Sequence, residues 1–229
     1  MLDIQFRPLK DQVFNPISRL VPKAITPLHL TVLAFFSGLN SCLHASQNHP
    51  TLSLTFWLLN RALDCLDGAV ARHRNQSSDL GGFLDLLGDF IVYSLIPICC
   101  GLSSAGGNGE RWHLWASIAV VEASFHVNNF VLFYVAAVVE KRKATAVGGG
   151  GELRDGDRVG EKDTEMKVKV KELTSVAMRP ALVEGMESGI MFTIMLARPA
   201  WTEGVCWVMA VLVGVGICQR VIWLVPVLK

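Results

Sequence analysis

Apolar residues along this chain come in long blocks separated by short polar turns, rather than in the stripes of a soluble amphipathic helix. A block of about 20 residues spans roughly 30 Å as a helix, enough to cross a hydrocarbon layer. The pattern predicts six such blocks, at about 25–45, 52–72, 80–100, 112–139, 180–197 and 205–225. Backbone groups in lipid must bond internally, so the expected fold is all-α: a polytopic membrane helix bundle of six transmembrane helices. Residues 1–24 read differently. Arg7, Lys10, Arg19 and Lys23 are interleaved with Ile4, Phe6, Leu9, Val13, Phe14, Ile17 and Leu20, which predicts an N-terminal interfacial amphipathic helix lying among headgroups. A break is expected near Pro16. The segment lacks the uninterrupted apolar core of a signal peptide, and Asp3 and Asp11 disfavour a mitochondrial presequence.

Punctuation supports the blocks. Thr26 is positioned as an N-cap before Pro27, a residue suited to the first helical turn. The first four spans occupy 25–139, and the last two occupy 180–229, starting at Arg179-Pro180. Between them, 140–179 is rich in Lys, Glu, Asp and Gly, with glycine at every position from Gly148 to Gly151, and reads as a mobile cytosolic linker. Lys167, Lys169 and Lys171 alternate with valines there and are candidates for contact with anionic lipid.

Composition sharpens this picture. With 51% hydrophobic and 18% charged residues the chain falls in the membrane class, and with a net charge of +1 no nucleic-acid partner is expected. Of 21 basic residues only Arg111 and Arg198 fall on one side of the six-span topology, so the other side, which holds both ends of the chain, is expected to be cytosolic. Cys42, Cys65, Cys99, Cys100, Cys206 and Cys218 have neither metal-ligand nor disulfide spacing and are expected to pack.

Against this apolar background stands the stretch 64–89, DCLDGAVARHRNQSSDLGGFLDLLGD. A charged side chain near the centre of a bilayer costs roughly 2.5–3.5 kcal/mol on insertion scales, so intramembrane acids are normally paired, hydrated or bound to a cation. At about 100° per residue, Asp64, Asp67, Gly68, Ala71 and Arg72 share one side of a helix. Gly81, Asp85 and Asp89 share one side of the next, within roughly 80°. The link 73–79 is short and polar, so the two helices are expected to be antiparallel neighbours aiming four carboxylates at one volume, on the cytosolic side. Oxygen-only ligands without His or Cys suit Mg²⁺ or Mn²⁺, and shared carboxylates suit a pair of divalent ions acting at phosphorus.

The pattern Asp-x2-Asp-Gly-x2-Ala-Arg-x8-Gly-x3-Asp-x3-Asp is complete here as Asp64, Asp67, Gly68, Ala71, Arg72, Gly81, Asp85 and Asp89. It resembles the signature of the CDP-alcohol phosphatidyltransferases, integral membrane enzymes of phospholipid synthesis. The resemblance implies that two divalent ions are held by Asp64, Asp67, Asp85 and Asp89, that Asp89 is general base, metal ligand or both, and that CMP leaves as an alcohol attacks phosphorus. Gly68, Ala71, Arg72 and Gly81 would then meet the nucleotide and its phosphates: the small residues through close approach, and Arg72 through charge-assisted hydrogen bonds. Many family members carry Pro-Asn-x-x-Thr at the entry to the first span. Here Leu28 replaces the Asn, between Pro27 and Thr31, which is expected to bond its own backbone.

Compact six-span relatives use CDP-diacylglycerol and a small polar alcohol, and the chain is expected to do the same, as a homodimer among membrane lipids. Candidate acceptors are glycerol 3-phosphate, inositol or its phosphate, serine and phosphatidylglycerol; His73 and Arg74 either meet a phosphorylated one or are turn residues facing headgroups. The host membrane would be endoplasmic reticulum or mitochondrial in a eukaryote and plasma membrane in a bacterium. Three other readings are a CDP-aminoalcohol phosphotransferase acting on diacylglycerol, a non-catalytic membrane scaffold and a transporter. Outside the motif, Glu122, His126, Asn128 and Asn129 are expected to make interhelical hydrogen bonds or to line the alcohol pocket. Glu184 and Glu187 share a face and are expected to contact the substrate's alcohol, to hydrate the cleft or to bond neighbouring helices.

Overall fold

The computed structural model describes residues 2–103, 111–148 and 185–228, and these contain helices and short connections with no strand. The helices are α1 Leu2–Leu20, α2 Pro27–Ser46, α3 Pro50–His73, α4 Asp79–Ser103, α5 Trp112–Gly148, α6 Gly185–Ala197 and α7 Thr202–Leu228, with a 3-10 turn at Pro199–Trp201 before α7. Four stretches are long and apolar enough to cross a membrane: Pro27–Ser46, Asp79–Ser103, Trp112–Val138 and Pro199–Val225. Helix α3 has 24 residues, but Arg61, Asp64, Asp67 and Arg72 make its last half polar. Phe36, Phe83, Phe130, Val211 and Ile222 point outward and exposed, as lipid-facing side chains must. Pro180 and Glu184, the alternating lysines and most of the expected linker lie outside the described residues.

Two boundaries depart from expectation. Helix α1 continues through Pro16 to Leu20, packed along α3, and this packing offsets the missing N–H of the proline. Buried Ser18 holds the same turn, its hydroxyl donating to the Asn15 carbonyl at 2.8 Å. Helix α5 runs 37 residues, past the expected end at 139, because no helix breaker intervenes before the glycine run begins at Gly148.

Helix α2 is the hub of the bundle. Its Thr26 cap accepts from the His29 N–H at 3.4 Å, and the Thr26 N–H donates to His29 Nδ1 at 3.2 Å, forming a reciprocal capping box. Small and polar residues then let α2 approach α3 closely. The Ser41 and Ser53 hydroxyls each donate to the other's carbonyl at 2.8 Å, and Asn60 Nδ2 donates to the Ala34 carbonyl at 2.8 Å. Against α4, a side chain at Gly38 would stand 2.6 Å from a Val92 methyl, so only glycine fits. A core of Trp57, Val92, Ile96, Ile118, Phe192 and Met209 ties α3, α4, α5, α6 and α7 together.

Helices α3 and α4 are neighbours, as their short link suggested, but they meet through side chains, with Arg61 and Trp57 of α3 against Asp89 and Tyr93 of α4. Both pack on α2 and both touch α6, while their own backbones stay apart. The link can be short because a turn constrains only the helix ends, and α2 decides how far the rest diverges. Helices α5 and α7 form a second close pair with their own apolar cluster of Val131, Val135 and Leu224. There Arg220 donates to the buried Asn128, so Asn128 makes an interhelical hydrogen bond as expected. Cys42, Cys100 and Cys206 are buried in the core, and the six cysteines form no disulfide.

Both turns that close this half of the bundle use an asparagine at positive φ. Asn48 (φ 58°) ends α2 and Asn75 (φ 53°) ends α3. In each case the next residue reaches back to the helix, His49 N–H to the His44 carbonyl and Gln76 N–H to the Ala71 carbonyl, both at 2.9 Å. This is a Schellman closure, which needs the left-handed conformation that Asn tolerates better than other side chains. Arg74 is occupied as well, donating to the carbonyls of Val21 (2.6 Å), Pro22 (3.2 Å) and Ile25 (2.7 Å), which pins the α1–α2 connection to the end of α3. Its guanidinium therefore serves the fold, which favours the turn-residue reading of Arg74 over contact with a phosphorylated acceptor. Asn75→Gly is expected to leave stability within about 0.5 kcal/mol, and Asn75→Val to lower it by about 1–2 kcal/mol, the cost of left-handed backbone for a β-branched residue. Thermal unfolding of the detergent-solubilised variants checks both.

Candidate active site

The site lies where α3 and α4 diverge. Helix α3 supplies Asp64, Asp67, Gly68, Ala71 and Arg72 from its last turns, and α4 supplies Gly81, Asp85 and Asp89 from its first half. Ser78 starts α4 by accepting the Gly81 N–H at 3.1 Å, so the helix begins early enough for Asp85 to stand nearly two turns inside. One carboxylate oxygen from each of Asp64, Asp67 and Asp85 lies within 4.8 Å of the others. The helical stripes are therefore aimed at one another as the spacing predicted, across a gap rather than a packed interface.

Asp89 stands beside this group under a different constraint. Arg61 Nη2 donates to Asp89 Oδ1, and Arg61 Nη1 donates to Oδ2 at 3.3 Å. The Tyr93 hydroxyl donates to the same Oδ2 at 3.1 Å. Arg61 also donates from Nε to Asn60 Oδ1 at 2.8 Å and from Nη1 to the Tyr93 oxygen at 2.6 Å, and stands 3.6 Å from Asp64 Oδ2. Its guanidinium carbon also lies 4.9 Å from the centroid of the Trp57 ring and 5.2 Å from that of the Tyr93 ring, two rings that meet edge to face. Trp57 in turn donates to Thr193 on α6 at 2.8 Å, which anchors the assembly in the core.

Thr31 on α2 donates to Asp67 Oδ2 at 2.6 Å, a shorter contact than the one to its own backbone at Pro27 (3.2 Å). Its role is thus to hold a carboxylate from the neighbouring helix. Arg72 folds over Gly68: a Cβ at Gly68 would lie 3.2 Å from Arg72 Nη1, so the glycine leaves room for the guanidinium. Gly81 is part of the helix start beside Ser78, and Ala71 is half-buried on the same stripe as Asp64.

Arg61, Tyr93 and the Thr31–Asp67 bond were absent from the sequence reading. A signal for two of them existed. Arg61 lies three residues before Asp64 and Tyr93 four residues after Asp89, both continuing the acidic stripes at helical steps.

Three carboxylates this close repel one another when ionised, on the order of 3 kcal/mol per pair at an effective dielectric of about 20. Arg61 approaches only Asp64 among them, at one edge. The donor set is all oxygen and drawn from two opposed helices, which fits a hard divalent ion such as Mg²⁺ or Mn²⁺.

Fold and site together define a helical membrane protein with a convergent carboxylate centre. The chain belongs to the CDP-alcohol phosphatidyltransferase family, whose profile matches residues 19–215. It is 36% identical over 121 residues to inner membrane protein YnjF of Escherichia coli (strain K12), an alignment that spans 52% of this chain and 58% of that protein. Two crystal structures of the Mycobacterium tuberculosis phosphatidylinositol phosphate synthase share its fold. The form with CDP-DAG bound has a TM-score of 0.61 at 18% identity, covering 92% of each chain. The form in complex with manganese and citrate has a TM-score of 0.54 at 20% identity, covering 91% of this chain and 87% of that one.

Proposed function

We propose that this protein transfers a phosphatidyl group from CDP-diacylglycerol to the hydroxyl of a small polar alcohol, releasing CMP. The observation that carries the reading is the convergence of Asp64, Asp67 and Asp85 within 4.8 Å across the gap between α3 and α4. Family membership supports the reaction class, and the CDP-DAG in the tuberculosis synthase, a protein of the same fold, supports the donor. The manganese in that synthase's second structure supports a divalent cofactor.

Asp64, Asp67 and Asp85 would hold the divalent ions, two by the donor set's capacity for sharing, and bound ions would supply positive charge to the diphosphate and to the leaving CMP. The chain's own groups do the rest. Asp89, oriented by Arg61 and Tyr93, accepts the acceptor's hydroxyl proton at a carboxylate oxygen as the new P–O bond forms and the P–O bond to CMP breaks. A carboxylate has about four lone-pair sites, and three are engaged here, which leaves one for the proton. Arg72 swings from above Gly68 to donate to phosphate, with Ala71 and Gly81 leaving the approach open.

Six spans are proposed, α2 to α7, with α1 on the headgroup surface and the acidic site opening to the cytosol. The weight of basic residues on the motif side supports this orientation. A homodimer in an endoplasmic reticulum, mitochondrial or bacterial plasma membrane completes the proposal.

Purified protein incubated with CDP-diacylglycerol, Mg²⁺ or Mn²⁺ and a panel of alcohols is expected to release CMP and one new lipid, identified by mass. Absence of CMP with every alcohol sinks the reading. Asp89→Asn is expected to reduce CMP release by at least about 100-fold while metal-dependent nucleotide binding persists. Retained turnover refutes the base assignment. Thr31→Val is expected to weaken Mn²⁺ binding by about tenfold, the usual effect of freeing a metal-binding carboxylate from its partner. A Mn²⁺ titration followed by electron paramagnetic resonance measures it.

A further inference from the structure

We propose that a cavity at the end of the bundle remote from the aspartates binds the phosphodiester of a phospholipid, with Arg111 and Arg198 as its ligands. This second site is separate from the phosphatidyl-transfer centre and holds or fails independently of it.

The cavity has a volume of about 720 Å³, and Asn48, Ser103, Arg111, His113, Arg198 and Glu203 form its polar lining. Helix direction fixes its level in the bundle. The stretches Pro27–Ser46 and Asp79–Ser103 end beside it, and Trp112–Val138 and Pro199–Val225 begin beside it, so all four membrane-length stretches meet there. Along α3 from Pro50 to Asp64, and along α4 from Asp89 to Ser103, the helical rise amounts to roughly 21 Å. The cavity and the acidic centre therefore lie near opposite faces of the membrane. Trp112 and Trp201, next in sequence to lining residues, are each 62% exposed, as tryptophans at headgroup level are.

Cations are scarce at this face. Of the chain's 21 Lys and Arg, the proposed six-span topology leaves only Arg111 and Arg198 here, and both line the same cavity. Arg111 Nη1 is buried without a hydrogen-bond partner, and neither arginine makes an ion pair with Glu203 or any other described residue. A charged donor withdrawn from water with nothing to bond is costly, which calls for an acceptor from outside the chain. The surrounding backbone is fixed in advance. The Arg198 N–H donates to the Ile194 carbonyl and its carbonyl accepts the Trp201 N–H, both at 2.9 Å, while the Ser103 hydroxyl donates to Asn48 Oδ1 at 3.2 Å. Two guanidinium groups and Glu203 sum to one positive charge, which balances a phosphodiester rather than a phosphate dianion. Guanidinium forks pair with phosphate oxygens, so one phosphate would join the start of α5 to the turn before α7.

Native mass spectrometry of the full-length protein in detergent, with a metal chelator present, reads the retention of dioleoyl-phosphatidylmethanol, a phosphodiester lipid whose headgroup adds no other polar group. One molecule is expected to be retained about tenfold more strongly than dioleoylglycerol, which has the same tails and no phosphate. Replacing both arginines, Arg111→Gln with Arg198→Gln, is expected to weaken retention by about tenfold or more. Lys23→Gln removes an exposed charge from the α1–α2 connection and is expected to leave retention within about twofold. Glu203→Gln is expected to strengthen it about threefold, a gain that loss of structure does not produce.

Equal retention of dioleoylglycerol shows a groove for tails alone and overturns the proposal. So does wild-type retention by the doubly substituted protein, or weaker retention by Glu203→Gln. Inorganic phosphate in excess is expected to leave the lipid bound; displacement assigns the site to free phosphate and overturns the lipid assignment. Should the doubly substituted protein fail to remain monodisperse, Arg198→Gln alone decides, because that side chain is exposed. It is expected to weaken retention about threefold, and unchanged retention overturns the proposal.

Discussion

Ionised carboxylates that converge inside a membrane-embedded bundle repel one another, and the low dielectric around them strengthens that repulsion while screening it little. Asp64, Asp67 and Asp85 stand in this relation, on helices whose backbones do not touch. The separation of α3 and α4 is therefore the condition on which the site depends. If the two helices packed ridge into groove, the acids would have no room for an ion or a diphosphate between them. Helix α2 keeps them apart by packing on both, and the contacts that fix it are small or polar: Gly38 against Val92, Ser41 with Ser53, and Ala34 with Asn60.

Around the gap, two of the four carboxylates are tied to other helices of the bundle. Thr31 reaches from α2 to Asp67, and Arg61 spans from α3 to Asp89 and Tyr93 on α4. Trp57, one turn before Arg61, is fully buried, bonds Thr193 and packs edge-on to Phe192 with ring centroids 6.1 Å apart. The apolar core and the acidic site are thus one mechanical unit. Two rings hold the guanidinium, and the guanidinium holds the carboxylate. Near the motif turn, Arg74 does comparable work with the carbonyls of Val21, Pro22 and Ile25, fastening α1 to the helix that carries the first two aspartates.

Much of the architecture was legible in the chain. Apolar block length marked α2, α4, α5 and α7, and Thr26 and Pro27 marked the start of α2. The acidic stripes were visible because helical period is a local property, so Asp64 and Asp67 had to share a side, and so did Asp85 and Asp89. Less legible was anything that depended on a partner distant in sequence. Pro16 looked like a helix end because its cost is local, while the packing on α3 that offsets it is not. Thr31 looked self-satisfied because its nearest acceptor in sequence is Pro27, whereas its shorter bond crosses to Asp67. Arg74 stayed open between a phosphate contact and a turn residue because the carbonyls that occupy it come from some fifty residues earlier in the chain.

The sequence by itself determined the class of fold, the side of each helix that carries acid, and the hard-ion character of the donors. These follow from hydropathy, helical period and ligand chemistry, which act over a turn or two of chain. Only the tertiary structure decided that α3 and α4 stand apart with α2 packed against both, and that three aspartates gather while the fourth is claimed by Arg61. Those outcomes depend on contacts between helices distant in sequence, and no local preference specifies them.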